Sequence, residues 1–174
     1  MPDSNFAFIA MCSIFDAINH NYVYPPLERC IKFNLDEPLS LYGFSTRLAS
    51  ENYWTADFTE KAIVEYKKFM YLAAVSDVMV SPSEIIDIVW HQHLIFTQSY
   101  ADFCSVLGKN IQHVPSTHNR EDFEKFRLAK ERTKKFYTET FGSQPSRLWD
   151  YADMFEPLQL EKLKFVPLAL PMAT

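Results

Sequence analysis

Glycine and cysteine are both scarce in this sequence of 174 residues, with three of each. So few glycines exclude a collagen-like or glycine-rich low-complexity chain and disfavour a barrel with many tight turns. Three scattered cysteines cannot form a disulfide framework, so we expect a reducing compartment, the cytoplasm. The length suits one domain, and a hydrophobic fraction of 48% with 22% charged residues is typical of a folded protein.

An excess of positive charge and a long apolar run are also missing. The net charge of −5 leaves no basic field to attract nucleic acid or anionic lipid, so the sequence disfavours those partners and leaves a protein partner open. No stretch of about 18 uninterrupted apolar residues predicts a membrane span. The first residues have neither the positive region nor the cleavage site of a secretion signal.

The remaining pattern is a string of helices, which predicts an all-α single domain of five or six helices. Apolar residues recur at helical spacing from Phe6 to Ala17, from Leu39 to Glu51, after a capping Thr55, and from Asn119 to Phe141 before Gly142. The run Ser81-Pro82-Ser83-Glu84 predicts a cap, a proline at the first helical position and a capping box. The proline-containing stretch 22–38 predicts an irregular connector.

The C-terminal end differs in composition from the rest of the chain. Four prolines, Pro145, Pro157, Pro167 and Pro171, forbid a long regular helix there. We expect a short turn at Arg147–Asp150, then an apolar tail on an extended or polyproline path. The predicted organisation is therefore a helical domain over residues 1–150 and a tail over residues 151–174 that packs on it.

Candidate metal ligands are concentrated in one part of the sequence. Four of the five histidines lie between positions 91 and 118, and the candidate ligands are Asp87, His91, His93, Cys104 and His113. Imidazole, thiolate and carboxylate are the groups that zinc and its neighbours use. Asp87 and His91 are four residues apart, so on a helix they share a face. Whether His118 belongs to the site stays open.

His93 sets a condition on a single shared site. On a straight helix His91 and His93 differ by about 200° and point in nearly opposite directions. A common site therefore requires the helix to break near His93, with Thr97 capping a new helix that ends at Leu107 before Gly108. The alternative without metal is a set of hydrogen-bonded core histidines beside a buried cysteine.

The same segment resembles a known family. The motif Asp87-x-x-Trp90-His91-x-His93, followed by Tyr100, Cys104, Gly108 and His113, is similar to the signature of the glycine-rich domain-containing protein-like family. Upstream, Phe44-Ser45-x-x-Leu48-Ala49-x-Glu51-Asn52-x-Trp54 and Glu65-Tyr66-x-x-Phe69 resemble its other blocks, so the resemblance covers about residues 39–149. It implies that Trp90, His91, His93, Cys104 and His113 belong to one core. With three glycines the chain has no glycine-rich region, and roles of such a region do not carry over.

Three functions remain open at this point. The first hypothesis is a cytoplasmic metal-binding domain, with zinc as the metal, that acts as an interaction or scaffold module. The second is a metal-dependent hydrolase, which needs three protein ligands, an open coordination position and a free carboxylate such as Asp87 or Glu84 as base. The third is a metal-free helical binding domain. The resemblance supplies no reaction, so the sequence alone does not identify an enzyme.

Overall fold

The computed structural model describes residues 25–36, 40–115 and 120–150, with side chains in the last range from residue 124 onward. Six helices follow one another in these ranges: α1 Leu27–Lys32, α2 Phe44–Asn52, α3 Ala56–Val75, α4 Glu84–Ile95, α5 Thr97–Leu107 and α6 Arg120–Phe141. A 3₁₀ turn at Arg147–Trp149 comes last. The described residues contain no strand, and the predicted all-α fold is confirmed. The predicted helix Phe6–Ala17 and the tail 151–174 lie outside the described residues.

Local sequence signals account for most helix ends. Thr55 Oγ1 accepts a hydrogen bond from the Phe58 amide at 3.2 Å and begins α3, as predicted. Gly108 and Gly142, with φ of 70° and 67°, adopt the left-handed conformation that ends α5 and α6. Gly43 precedes α2, where an added Cβ would lie 2.6 Å from Asp36 Oδ1, the atom that accepts from the Ser45 amide.

Several predicted helix starts were wrong. The helix expected from Leu39 begins at Phe44, and Thr97 is the first residue of α5 and not its cap, which is Phe96. The stretch 22–38, expected to be irregular, contains the short helix α1, which Pro26 precedes in extended conformation. Helix α4 begins after Ser83 and not after Ser81, since Ser83 Oγ accepts from the Ile86 amide. The Ser81 amide instead donates to Thr133 Oγ1 on α6 at 2.9 Å, which keeps the backbone extended for two more residues.

Helix α3 is central, and the other helices pack around it. The core is aromatic and aliphatic, and its fully buried side chains include Phe44, Leu48, Tyr66, Phe69, Met70, Ile85, Ile86, Phe103, Leu107, Tyr137 and Trp149. One carboxylate, Glu65, lies inside it at 6% exposure. Glu65 accepts from Trp149 Nε1 at 2.8 Å, Lys68 Nζ at 2.9 Å and the Tyr137 hydroxyl at 3.2 Å, so it joins α3 to α6 and the 3₁₀ turn.

The predicted break in the helix is confirmed and lies at Phe96. This residue, with φ −87° and ψ 64°, ends α4 and precedes α5. Its position three residues beyond His93 keeps His93 within regular helix. The break turns the chain so that α5 and the segment after it return toward α4.

Candidate metal centre

Helix α4 presents two of the candidate ligands on one face. Asp87 and His91 are four residues apart, and the carboxylate Oδ2 lies 3.7 Å from His91 Nε2. The His91 side chain is 57% exposed and that of Asp87 is 36% exposed, so this face of α4 reaches solvent. The opposite faces of the helix bury Ile85, Ile86 and Val89 in the core, which fixes the rotation of α4 and hence the direction of both polar side chains.

The third ligand, His113, arrives on an extended segment after α5. Along residues 109–114 the burial alternates, with Lys109, Ile111 and His113 directed inward and Asn110, Gln112 and Val114 exposed. Lys109 Nζ donates to three carbonyl oxygens at the end of α3, those of Ala73, Ala74 and Ser76, each at 3.2 Å. A cation satisfying the last carbonyls of a helix is favourable, and here it anchors the beginning of the segment.

Trp90 and Tyr100 position the part of the extended segment that directly precedes His113. The Tyr100 hydroxyl donates to the Ile111 carbonyl and accepts from Trp90 Nε1 at 3.1 Å. Burial raises the pKa of Tyr100, so the hydroxyl keeps the proton that it donates. The Trp90 ring also meets the His113 ring edge to face, with 4.6 Å between centroids. Both the backbone before His113 and its ring are therefore positioned by side chains of α4 and α5.

Three ligand atoms converge at this point. His113 Nε2 lies 3.0 Å from His91 Nε2 and 3.0 Å from Asp87 Oδ1, and the three residues can each offer an atom within 4.8 Å of the others. Around an ion with bonds of about 2.1 Å, ligand atoms lie about 3.0 Å apart at octahedral and about 3.4 Å apart at tetrahedral angles. The two separations from His113 Nε2 match the octahedral value, whereas the 3.7 Å between Asp87 Oδ2 and His91 Nε2 is longer than either. In the absence of an ion, one proton on His113 Nε2 can satisfy both neighbours only as a shared hydrogen bond.

The structure separates His93 from this group. His93 is fully buried on another face of α4, its Nδ1 lies 2.8 Å from the Tyr66 hydroxyl, and its Nε2 lies 3.1 Å from Ser99 Oγ. Burial raises the pKa of Tyr66 and lowers that of His93 to about 4. Tyr66 is therefore the donor to Nδ1, and the neutral ring carries its proton on Nε2 toward Ser99. Both nitrogens of His93 already have partners.

Cys104 is also apart from the three converging ligands. It is a free cysteine, 6% exposed, on the inner face of α5 near Tyr66 and Tyr100. The five sequence-predicted ligands thus divide into a group of three in which His91 is exposed and Asp87 and His113 are partly buried, and two residues that belong to the core. Sequence reasoning missed Lys109 as an anchor, and its one local signal was a lysine directly after the glycine that ends α5.

Fold and site together define an all-helical domain in which two histidines and one carboxylate lie close enough to form a possible metal site. The model of the UCP032817-like family matches residues 43–138, more than half of the chain, and the chain belongs to this family. The resemblance to glycine-rich domain-containing proteins is confirmed by two relatives from Arabidopsis thaliana. Glycine-rich domain-containing protein 1 is 26% identical over 125 residues, and glycine-rich domain-containing protein 2 is 29% identical over 91 residues.

Each match covers a much larger share of this chain than of the relative. They span 68% and 49% of this chain but 15% and 12% of the respective relatives, so the chain corresponds to a small part of each of those proteins. No solved structure matches the chain. Among the described helices, none combines the length and the apolar character needed to cross a membrane.

Proposed function

We propose that this domain binds one divalent transition-metal ion, zinc by preference, through Asp87, His91 and His113. The observation that carries the proposal is the convergence of one ligand atom from each of the three residues within 4.8 Å of one another, with His113 Nε2 3.0 Å from both His91 Nε2 and Asp87 Oδ1. Two imidazoles and a carboxylate are a ligand set that zinc accepts. Each ligand is positioned by contacts with the core. The buried face of α4 orients Asp87 and His91, and Trp90 together with the hydrogen bonds of Tyr100 positions His113.

The role that follows is an interaction or scaffold module. The ion would join α4 to the extended segment 109–115, which otherwise depends on Lys109 and Tyr100 for its position. Metal binding would then set the shape of one surface of the domain, in the way that structural zinc sites contribute to folding. A cytoplasmic location, predicted from the scarcity of cysteine, is part of this proposal, and cell fractionation tests it.

Elemental analysis of the untagged protein tests the metal directly. We expect about one equivalent of zinc per chain in the wild type and less than about a tenth in Asp87→Ala and His91→Ala. Asp57→Ala is the matched control, because Asp57 also lies in the first turn of its helix, α3, and is exposed. It should keep the metal.

His93→Gln distinguishes this site from the five-ligand pool. Because His93 bonds to Tyr66 and Ser99, the variant should retain zinc wherever it remains folded, as judged by circular dichroism. Zinc that is absent from the wild type after supplementation would refute the proposal and leave the metal-free binding domain. Loss of zinc in His93→Gln, with zinc retained in His91→Ala, would assign the metal site to the core instead.

A hydrolase is the second candidate, and one observation favours it. The three ligands lie at the edge of a groove, and Glu84, exposed and one helical turn before Asp87, lines the same groove. Such a carboxylate can act as general base toward a metal-bound water. If the zinc-loaded protein hydrolyses nitrophenyl esters or phosphodiesters, Glu84→Gln should lower the rate at least 100-fold without removing zinc. The absence of turnover would leave the interaction role.

A further inference from the structure

A groove of about 1150 Å³ runs beside the three converging ligands. Its sides are the extended segments 76–83 and 109–115 and the first half of α6, and Phe69 and Trp90 contribute to its lining. The volume exceeds the roughly 300–1000 Å³ of pockets for drug-sized ligands, so the groove suits a longer occupant. Val78 and Val114, which are 55% and 60% exposed, add apolar surface that solvent reaches.

The segment 109–115 has a free backbone edge. The Ile111 carbonyl accepts from the Tyr100 hydroxyl and therefore faces α5. In an extended chain the backbone groups of successive residues point to opposite sides, so the N–H and C=O groups of Gln112 and Val114 point away from Tyr100. Within the part of the chain that the structure describes, these groups form no hydrogen bond. Free donors and acceptors at alternate residues are the groups with which an added strand pairs.

The segment 76–83 shows the same alternation on the other side of the groove. The Met79 carbonyl accepts from Arg132 on α6 at 3.1 Å. The Ser81 amide donates to Thr133 Oγ1 on the same helix. Val80 lies between these two residues, so its own N–H and C=O groups point away from α6. Among the described residues they have no partner either, and both extended walls can pair with a bound chain.

The charges of the lining favour an acidic occupant. The net charge of the whole chain is −5, yet four cationic side chains line the groove: Lys109, Lys125, Arg127 and Lys130. Lys109 is already bonded to carbonyl oxygens at the end of α3. Arg127 pairs with Glu124 and Glu131, which do not line the groove. The positive charge that remains for an occupant belongs to the two lysines.

Lys125 and Lys130 form no ion pair with any residue that the structure describes. Lys125 is exposed and Lys130 is half-buried, so the second pays part of the cost of burial without a compensating carboxylate. The acidic residues beside the proposed metal ligands, Asp77 and Glu84, belong to other elements of the lining. Acidic groups of an occupant are therefore attracted to the α6 side of the groove.

We propose that the groove binds an extended acidic segment of a partner protein. The segment adds as a strand along residues 109–115 and directs aspartate or glutamate side chains at alternate positions toward Lys125 and Lys130. Backbone pairing supplies affinity, and the alternate side chains supply specificity. This statement names the partner class of the proposed interaction module and rests on that role, whereas the docking itself does not require the metal.

Peptide selection on the untagged full chain tests the docking. From a random peptide library we expect sequences with acidic residues at alternate positions, and anisotropy of one such labelled peptide gives its Kd. Lys125→Glu combined with Lys130→Glu should raise this Kd about tenfold or more. Lys32→Glu combined with Lys135→Glu is the control, because it changes the net charge equally at two exposed lysines outside the groove. The absence of enriched acidic sequences, or an equal effect of the two double variants, would overturn the proposal.

Methylation of the backbone nitrogens of the selected peptide tests the strand pairing. Methyl groups on alternate residues in one register remove the donors that face segment 109–115 and should weaken binding about tenfold or more, whereas the other register should be tolerated. Equal effects in both registers would refute the pairing. Displacement of the peptide by sodium acetate, but not by sodium chloride at equal ionic strength, would overturn the proposal and assign the lysines to a small anion. Dimers of the chain that the peptide dissociates would assign the groove to a second copy instead.

Zinc content separates this proposal from the metal site. If the ion shapes segment 109–115, the wild type stripped of zinc by a chelator should bind the peptide more weakly, and zinc should restore the affinity. Unchanged affinity in the stripped protein would keep the docking and refute the shaping by the metal. One equivalent of zinc without peptide binding would keep the metal site and refute the docking. Peptide binding by a protein that holds no zinc after supplementation would keep the docking and refute the metal site.

Discussion

Replacement of Tyr100 by phenylalanine tests how the third ligand is held. The change removes one oxygen and leaves the ring in place, so the Trp90 indole N–H and the Ile111 carbonyl both lose their partner. Both residues are buried, at 6% and 7% exposure, and a buried group left without a partner costs about 1–3 kcal/mol. We expect Tyr100→Phe to lower the free energy of unfolding by about 2–4 kcal/mol, or Tm by about 5–15 °C for a chain of this size.

The same change should weaken metal binding. Outer hydrogen bonds that orient a metal ligand are worth about 10- to 100-fold in affinity, and Tyr100 acts on His113 through the Ile111 carbonyl and through Trp90. Zinc titration against a competing chelator measures the affinity, and thermal melts of the apoprotein measure the stability. Tyr53→Phe is the control, since its hydroxyl is in solvent. Zinc affinity within twofold of the wild type would refute the positioning argument, even if the protein is less stable.

Two further predictions concern the core. Glu65→Gln turns an amide N–H₂ toward Lys68 Nζ and the Tyr137 hydroxyl, so we expect the free energy of unfolding in urea to fall by about 2–4 kcal/mol. The control Glu28→Gln changes an exposed ion pair and should leave the urea midpoint unchanged, and equal midpoints for the two variants would contradict a structural role for the buried carboxylate. Burial raises the pKa of Cys30 from 9.0 to about 11, which lowers its thiolate fraction at pH 8 about 100-fold. Thiol labelling of the native protein, mapped by mass spectrometry, should therefore show slow modification of Cys30. A labelling rate equal to that of a free thiol would refute the burial.

Helix positions could be predicted from the sequence where the cause is local. Thr55, Gly108 and Gly142 act through the backbone of their own neighbours, so the ends of α3, α5 and α6 follow from the residues themselves. The start of α4 could not be predicted, because Thr133, more than 50 residues away, holds the Ser81 amide and moves the cap to Ser83. Tertiary contacts override local preference in this case.

The candidate site could be predicted in part, for a geometric reason. The angle of about 200° between His91 and His93 on a helix indicated that one of them would leave the group unless the helix broke between or beside them. The break lies at Phe96, beyond both residues, so His93 turns into the aromatic core and His91 remains outside. The pairing of His113 with Asp87 and His91 depends on where the chain returns after α5, and that path is set by Lys109 and Tyr100.

Contacts along the segment between Gly108 and His113 fix its length, and this restricts insertions and deletions in related chains. Every second residue makes a hydrogen bond to the rest of the domain: Lys109 to the end of α3, Ile111 to Tyr100 and His113 to Asp87. A single inserted or deleted residue would shift the alternation by one and turn the imidazole outward. A related chain that retains the site must therefore keep five positions from the glycine that ends α5 to the histidine. That interval, more than overall identity, can serve to recognise other proteins in which the ligand triad survives.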